Sequence, residues 1–129
     1  MQRILHAGVP GIYPPTGDYA HALELRGAGR LLLVSGTMGL EPDGSASAGL
    51  DAQLARAWEN VRAILGAAGM SLEDLVRVTS YLTDAAHAGA NAAARVAALG
   101  GRVVPTTAIV VGTLERDWLV ELEVLAAAP

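Results

Sequence analysis

The amino-acid sequence predicts an α+β domain in which two helices pack on one face of a mixed β-sheet. Three observations support this fold class: one long stretch with apolar residues at helical spacing, a second helical stretch rich in alanine, and several short apolar stretches bounded by turns. The order along the chain is β-β-β-α-β-α-β-β. Because the 129 residues contain no linker, charge block or internal repeat, we expect residues 1–129 to form one domain.

Three strands are predicted before the first helix. Arg3–Ala7 is a short apolar stretch that fits an edge strand, and a loop rich in proline and glycine follows it. The stretches Tyr19–Arg26 and Arg30–Ser35 are separated by a Gly-Ala-Gly turn, which predicts a β-hairpin between them. The continuous apolar run inside the second of these stretches is typical of a strand that is covered on both faces.

The two predicted helices lie on either side of a fourth strand, Leu75–Leu82. Leu50–Ala68 has apolar residues at helical period, with Ser47 as the expected N-cap and Gly69 as the stop. Ala85–Leu99 is the alanine-rich second helix. The polar side of the first helix is expected to hold Gln53, Arg56, Glu59, Asn60 and Arg62.

Two further strands, Thr106–Leu114 and Leu119–Leu125, complete the predicted sheet. In the last strand, the alternation of side chains places Glu121 and Glu123 on one face, opposite to an apolar face. Two helices cover only one side of such a sheet. We therefore expect the other side to pack against further copies of the chain.

The composition excludes several classes of function. The chain has no cysteine, which excludes disulfides and thiol catalysis. All nine basic residues are arginine, which excludes Schiff-base chemistry on a lysine and Walker-type phosphate binding. The net charge is −4 and the arginines are scattered, which disfavours nucleic-acid binding. His6, His21 and His87 lack the spacing of a metal site, and Ser35 lacks the context of a serine-hydrolase nucleophile.

No segment of the sequence favours a membrane. The apolar runs, such as Leu31–Val34, are far shorter than the roughly 20 residues of a spanning helix. The first residues lack the long apolar region of a signal peptide, so the sequence predicts a cytoplasmic protein. The absence of lysine, together with much alanine, glycine and arginine, is typical of a bacterial proteome of high GC content.

Five separated blocks of this sequence resemble the RidA/YjgF family. They are Gly17–Ala22, Leu33–Gly39, the helix positions from Gln53 to Gly69, Val76–Asp84 and Leu119–Glu123. The resemblance implies a chorismate-mutase-like fold and a homotrimer with a cleft at each subunit interface. It also implies the hydrolysis of reactive enamines or imines, such as 2-aminoacrylate, to a keto acid and ammonia, with no metal and no organic cofactor.

The resemblance also implies site residues. Glu121 matches the family glutamate that positions or activates the attacking water. The alternative is a structural role on the less buried face of a strand, which is the role we assign to Glu123. Tyr19 matches the tyrosine that lines the family cleft, and the alternative for it is a core tyrosine.

Four further residues are candidates for substrate binding. Gly36 lies in a turn where backbone N–H groups can approach a ligand, and Thr37 stands where the family usually has glutamine. Asn91 matches a family asparagine at the start of the second helix, where helix capping is the simpler explanation. Trp118, next to the last strand, is a candidate wall of an altered pocket.

One departure from the family pattern concerns the substrate. Members with deaminase activity carry an arginine that grips the substrate carboxylate, and Thr107 stands at that place here. One residue is missing between Pro105 and Leu114, and neither register supplies an arginine. The loss costs several kcal/mol of carboxylate binding, on the order of a charge-assisted pair. Arg116 and Arg102 are the alternatives for this role, although each is more simply a solvated turn residue.

The sequence therefore predicts a small-molecule enzyme that processes an enamine or imine other than a typical 2-imino acid. The alternative is a non-catalytic ligand-binding or regulatory trimer that has lost deaminase activity. Ribonuclease activity, which is attached by name to some relatives, is disfavoured by the acidic charge.

Overall fold

A five-stranded mixed sheet is the centre of the fold. The computed structural model describes all of the chain, residues 1–129. Its main elements are β1 (Gln2–His6), β2 (Ala22–Arg26), β3 (Arg30–Leu33), β4 (Thr37–Met38), α1 (Leu50–Ala67), β5 (Leu75–Leu82), α2 (Ala88–Ala98), β6 (Thr106–Val110) and β7 (Val120–Ala128). The strand order is β3-β7-β5-β6, and β4 also pairs with β7. Only β5 and β6 are parallel, so the predicted α+β fold with a mixed sheet is confirmed.

The predicted hairpin between the second and third strands is wrong. Instead, β2 pairs with β1 in a separate two-stranded sheet, and β3 pairs with the end of β7. The glycine turn exists, since Gly27 has a φ of 70°, but it carries the chain from one sheet to the other. The turn residues report a local change of direction. They do not determine which strand β3 pairs with, and in this fold β3 pairs with the long strand β7.

The ends of both helices differ from the prediction. The N-cap of α1 is Gly49, and Ser47 is not a cap because its hydroxyl donates to the Glu41 carboxylate at 2.6 Å. The predicted stop at Gly69 is confirmed, with a φ of 67°. A short 3-10 turn, capped by Asp84, takes up the first residues predicted for α2.

The last two strands are also bounded differently. β6 ends at Val110, four residues before the predicted end, and the chain then leaves the sheet as a loop of residues 111–119. β7 continues to Ala128, where it pairs with Arg30 of β3. The short β4 was not predicted, because two residues carry no readable alternation. The loop after β6 forms one wall of a pocket on the sheet.

Gln53 of α1 is buried, although its polarity predicted an exposed position. Its side-chain amide donates to the backbone oxygens of Ser47 and Asp117, and its carbonyl oxygen accepts from the backbone N–H of Leu119. These bonds satisfy the buried amide, so burial carries no penalty of an unpaired polar group. They also tie the helix to the start of β7, the strand that carries Glu121.

The two faces of the main sheet are covered unequally. Helices α1 and α2 pack on one face, where an apolar core contains residues of β5, β7 and both flanking helices. The other face is open and carries exposed apolar side chains: Leu33 is 75% exposed, Leu31 59% and Ile109 47%. None of the helices is both long and apolar enough to cross a lipid bilayer.

Candidate functional site

Two carboxylates and a phenol lie together on the open face of the sheet. Glu121 and Glu123 are two residues apart on β7, so both side chains point to the same side. Tyr81 of β5 is the direct cross-strand neighbour of Glu121. These three residues line a pocket of about 330 Å³, whose other walls are formed by Gly36, Val111, Gly112, Thr113 and Leu114.

The position of Glu121 depends on a glycine at residue 36. Its half-buried carboxylate lies against the α carbon of Gly36, where a Cβ would stand 2.8 Å from the carboxyl carbon. Real Cβ atoms essentially never approach a heavy atom that closely. Gly36 therefore allows the Glu121 side chain to lie where it does, and a Cβ at this position would make the flexible carboxylate shift. Its predicted role in binding a ligand through the backbone stays a prediction.

A hydrogen bond fixes the second carboxylate of the pocket. The Tyr81 hydroxyl donates to Oε1 of Glu123 at 2.7 Å. This bond to a carboxylate is the main reason why the pKa of Tyr81 lies above its ordinary value of 10.0. The phenol therefore remains a donor at neutral pH. Glu123, to which we assigned a structural role, lines the same pocket as Glu121, and its i, i+2 spacing from Glu121 is the signal in the sequence that indicates this position.

Thr107 lies on the same face, two strands away from β7. It is paired with Thr79 of β5, and Thr79 is in turn paired with Glu123. The hydroxyl of Thr107 accepts a hydrogen bond from the Arg77 guanidinium at 3.2 Å. Arg77 was not predicted as a site residue, although its spacing from Thr79 and Tyr81 places all three on one face of a strand.

A second, smaller pocket adjoins the first at Glu123. Its volume is about 210 Å³, and Arg77, Thr79, Leu33 and Leu125 are among the residues that line it. The open face thus presents two acidic side chains at one end and a guanidinium at the other.

Of the predicted site residues, Glu121 and Gly36 line the larger pocket, and six lie outside both pockets in a single chain: Tyr19, Thr37, Asn91, Thr107, Arg116 and Trp118. Tyr19 belongs to the loop between β1 and β2, where its ring centre is 6.5 Å from that of His21. Asn91 lies inside α2 and is 2% exposed, so the capping explanation for it is wrong. Its side-chain oxygen is buried and accepts no hydrogen bond.

Thr37 and Trp118 also lie outside the Glu121 pocket. Thr37 is buried opposite the core residue Leu122, and its hydroxyl donates to the Ser35 carbonyl at 2.9 Å. Trp118 is half-buried, and its backbone oxygen accepts a hydrogen bond from Thr113, a pocket residue. Trp118 therefore supports the loop wall of the pocket.

Neither alternative arginine reaches Glu121 in this chain. Arg116 is exposed in the loop between β6 and β7. Arg102 donates to the backbone oxygen of Leu72, in a different pocket. No three histidine, aspartate or glutamate side chains are grouped so that they would hold a metal ion. The chemistry that the site offers is proton transfer by carboxylates and a phenol.

Comparison with known proteins gives consistent matches. A family model described as Endoribonuclease L-PSP matches residues 12–128. A RutC family protein from Pyrococcus horikoshii, PH0854, is 32% identical over 114 residues, which span 87% of this chain and 88% of that protein. A RutC family protein from Aquifex aeolicus is 39% identical over 71 residues, so that match spans 54% of each protein. The crystal structure of YyfB from Yersinia pestis, described as a member of the conserved Rid protein family, has a TM-score of 0.84 at 25% identity and covers 99% of this chain and 100% of that one.

Proposed function

Because this chain belongs to the endoribonuclease L-PSP family, which includes the RidA/YjgF proteins, we propose that it is an enzyme that hydrolyses a reactive enamine or imine, with Glu121 as its catalytic carboxylate. The observation that carries this proposal is the position of Glu121. Its carboxylate is half-buried in a pocket, lies against Gly36, and stands on a strand that is paired on both sides. A carboxylate held in this way can take a proton from a water molecule next to it.

The proposed reaction needs only water and a proton carrier. Glu121 removes a proton from water as the water oxygen attacks the imine carbon, which gives a carbinolamine. Glu121 delivers this proton to the nitrogen, which completes the neutral carbinolamine. It then takes the proton of the new hydroxyl group and passes it to the nitrogen as the C–N bond breaks, the C=O bond forms and ammonia leaves. An enamine enters the same sequence after a proton has moved from its nitrogen to its carbon. The net change is C=NH + H₂O to C=O + NH₃.

We further propose that other copies of the chain complete the pocket in a homotrimer. The exposed Leu31, Leu33 and Ile109 lie on the same open face as Glu121, and covering them from water favours association. Such packing would also bring residues of a second copy to the Glu121 pocket. Tyr19, which is partly exposed and lies outside the pocket of its own chain, is the candidate for this contribution, whereas the buried Asn91 is not.

The proposed substrate is not a typical 2-imino acid. Thr107 offers one neutral hydroxyl at a position where an arginine would offer a charged, bidentate grip on an α-carboxylate. Hydrogen bonds to charged groups contribute about 1.5 to 3 kcal/mol each, so the difference weakens α-carboxylate binding by more than tenfold. The substrate class is therefore an imine or enamine that places its polar groups differently.

The word endoribonuclease in the family description names an activity that the charges of this chain disfavour. The net charge is −4, and the pocket itself contains two carboxylates. Both repel a phosphate backbone, and the chain offers no basic stripe that would offset this repulsion.

A non-catalytic ligand-binding or regulatory trimer is the second candidate, and the threonine at position 107 is the observation that favours it. The deciding experiment measures ammonia release from freshly generated 2-iminopropionate and from a neutral imine, for the parent and for Glu121→Gln. We expect turnover of the neutral imine by the parent and a loss of at least about 100-fold in the variant. Glu59→Gln, a change at an exposed position of α1, is the matched control.

Two results would contradict the enzymatic proposal. One is turnover that survives in Glu121→Gln, which would remove Glu121 from the mechanism. The other is ligand binding without turnover of any imine by the parent, which would favour the non-catalytic trimer. A Thr107→Arg variant that gains activity on 2-iminopropionate would show that this chain differs from family members with deaminase activity only in how it binds the substrate carboxylate.

A further inference from the structure

Arg77 is a cation on the open face that has no carboxylate partner. Its backbone is paired opposite Leu125, on the same face of the sheet as Glu121 and Glu123. Five of the nine arginines have a carboxylate oxygen within 4.0 Å. Two others, Arg30 and Arg102, donate to backbone carbonyls. Arg77 instead donates a hydrogen bond to a neutral hydroxyl, that of Thr107.

The contact between Arg77 and Thr107 leaves a set of donors without acceptors. Arg77 uses one of its five N–H groups on the Thr107 hydroxyl oxygen. Since that oxygen accepts the bond, the hydroxyl proton of Thr107 is free to donate elsewhere. The Arg77 side chain lines the smaller pocket, and the Thr107 hydroxyl lies within hydrogen-bond distance of it on β6. Such a set is complementary to an anionic oxygen group.

The acidic groups nearby do not take this role. Glu123 faces the same pocket, but its carboxylate accepts from Tyr81 and does not pair with Arg77. Glu121 is held against Gly36 at the far end of the larger pocket. The guanidinium is therefore available to a ligand, and the two glutamates limit where a ligand anion can lie: beside Arg77 and away from β7.

We propose that Arg77 and Thr107 bind the anionic group of the substrate. This inference rests on the proposed function, since it assumes that the reacting carbon lies at Glu121. Thr107 pairs with Thr79, which lies two residues, or about 7 Å, along β5 from the partner of Glu121, and β6 lies two strands, or about 10 Å, from β7. Arg77 is paired two residues beyond Thr79, on the side farther from Glu121. The acid group of the substrate is therefore farther from the imine carbon than in a 2-imino acid, by at least one or two carbon atoms.

Binding of three keto acids tests this proposal without requiring turnover. Pyruvate, acetoacetate and levulinate each carry the ketone of a hydrolysis product, with none, one and two methylene groups between the ketone and the carboxylate. Titration calorimetry at low salt is expected to show acetoacetate or levulinate binding at least fivefold more tightly than pyruvate. Levulinate methyl ester, which lacks the charge, is expected to bind more weakly than levulinate.

Substitutions then identify the anion site. Arg77→Gln is expected to weaken levulinate binding about tenfold, the effect of losing about 1.4 kcal/mol. Thr107→Val, which keeps the side-chain volume, is expected to weaken it a fewfold. Arg62→Gln, at an exposed position of α1, is the matched control and is expected to leave binding unchanged. The thermal unfolding midpoint of each variant checks that the fold is intact.

The outcomes separate this inference from the proposed function. Unchanged levulinate binding in Arg77→Gln, or tightest binding of pyruvate, would overturn the anion site while leaving catalysis by Glu121 open to its own test. Binding that depends on Arg77 in a protein that hydrolyses no imine would support the anion site and contradict the enzymatic proposal.

Discussion

The two faces of the five-stranded sheet are made by the same strands and differ in almost every other respect. On the helix-covered face, Val120, Leu122 and Val124 of β7 are buried in the core. On the open face, the alternate residues of β7 are Glu121 and Glu123, which line a pocket. One chain is enough to complete the first face. The second face presents its polar groups and its exposed leucines together, which supports the proposal that other copies of the chain cover it.

The largest expected effect lies on the helix-covered face. Leu122→Ala removes a fully buried side chain, and we expect the free energy of unfolding to fall by about 2 to 5 kcal/mol. The matched change on the open face is Leu33→Ala, where the side chain is 75% exposed. This change is expected to alter the unfolding free energy of the isolated chain by less than about 0.5 kcal/mol.

Denaturant unfolding and sedimentation measure the two sides of this comparison. If Leu33→Ala lowers the stability of a monomeric chain as much as Leu122→Ala does, the distinction between the faces is wrong. If the trimer proposal holds, Leu33→Ala weakens self-association. On dilution, the sedimentation coefficient of the variant then begins to fall at a higher protein concentration than that of the parent.

The next effect concerns the ion pair that holds the loop before β2 to α2. The Arg95 side chain is 6% exposed and donates to the Asp18 carboxylate at 2.7 Å. Hydrogen bonds from Thr16 and then Arg95 lower the pKa of Asp18 below its ordinary value of 3.8. Since the folded-state pKa is the lower one, the stabilisation is complete above the ordinary value and disappears as the pH falls through the folded-state value.

Asp18→Asn is therefore expected to destabilise the protein by about 1 to 2 kcal/mol at pH 7, an amount reduced because the carboxylate is one-third exposed. The difference from the parent is expected to shrink in acid, below about pH 4. Urea unfolding at pH 7 and at acid pH measures it, with Asp51→Asn at an exposed position as the control. A difference that stays constant with pH would contradict this account.

A smaller effect on stability, with a clear effect on activity, is expected at Gly36. In Gly36→Ala, the new methyl group meets the Glu121 carboxylate and displaces it from the pocket wall. A displacement of this kind is expected to reduce turnover about tenfold or more, with little change in the unfolding midpoint. Gly66→Ala adds the same methyl group in open space on α1 and serves as the control. Full activity in Gly36→Ala would show that the Glu121 position does not matter.

The smallest effect is spectroscopic. The hydrogen bond to Glu123 raises the pKa of Tyr81, so this phenol is expected to ionise later than the unperturbed value of 10.0. In Glu123→Gln, the charged acceptor is lost, and the pKa is expected to move down towards that value. The ring carbon next to the hydroxyl of ¹³C-labelled tyrosine reports it by NMR, with Tyr13 as an internal control in the exposed loop. An unchanged Tyr81 titration would mean that the bond is absent in solution.

Much of this molecule follows from short-range patterns in the sequence. The helical period over Leu50–Ala68 predicted α1, and the alternation along β7 predicted which face carries Glu121. The threonine at position 107 remains the predicted departure from the family pattern. Each of these features depends on residues within a few positions of one another, and so each can be read along the chain.

Other features join residues that are distant in the sequence. β3 pairs with β7 and not with β2, because the pairing is set by the partner that packs against the core and not by the turn. The burial of Gln53 depends on carbonyl groups from two other parts of the chain. On the open face, Arg77 contacts Thr107, which lies 30 positions away in the sequence. Local residue patterns report local conformation, whereas these contacts arise only when elements pack, which is why the fold class was predictable and the composition of the site was not.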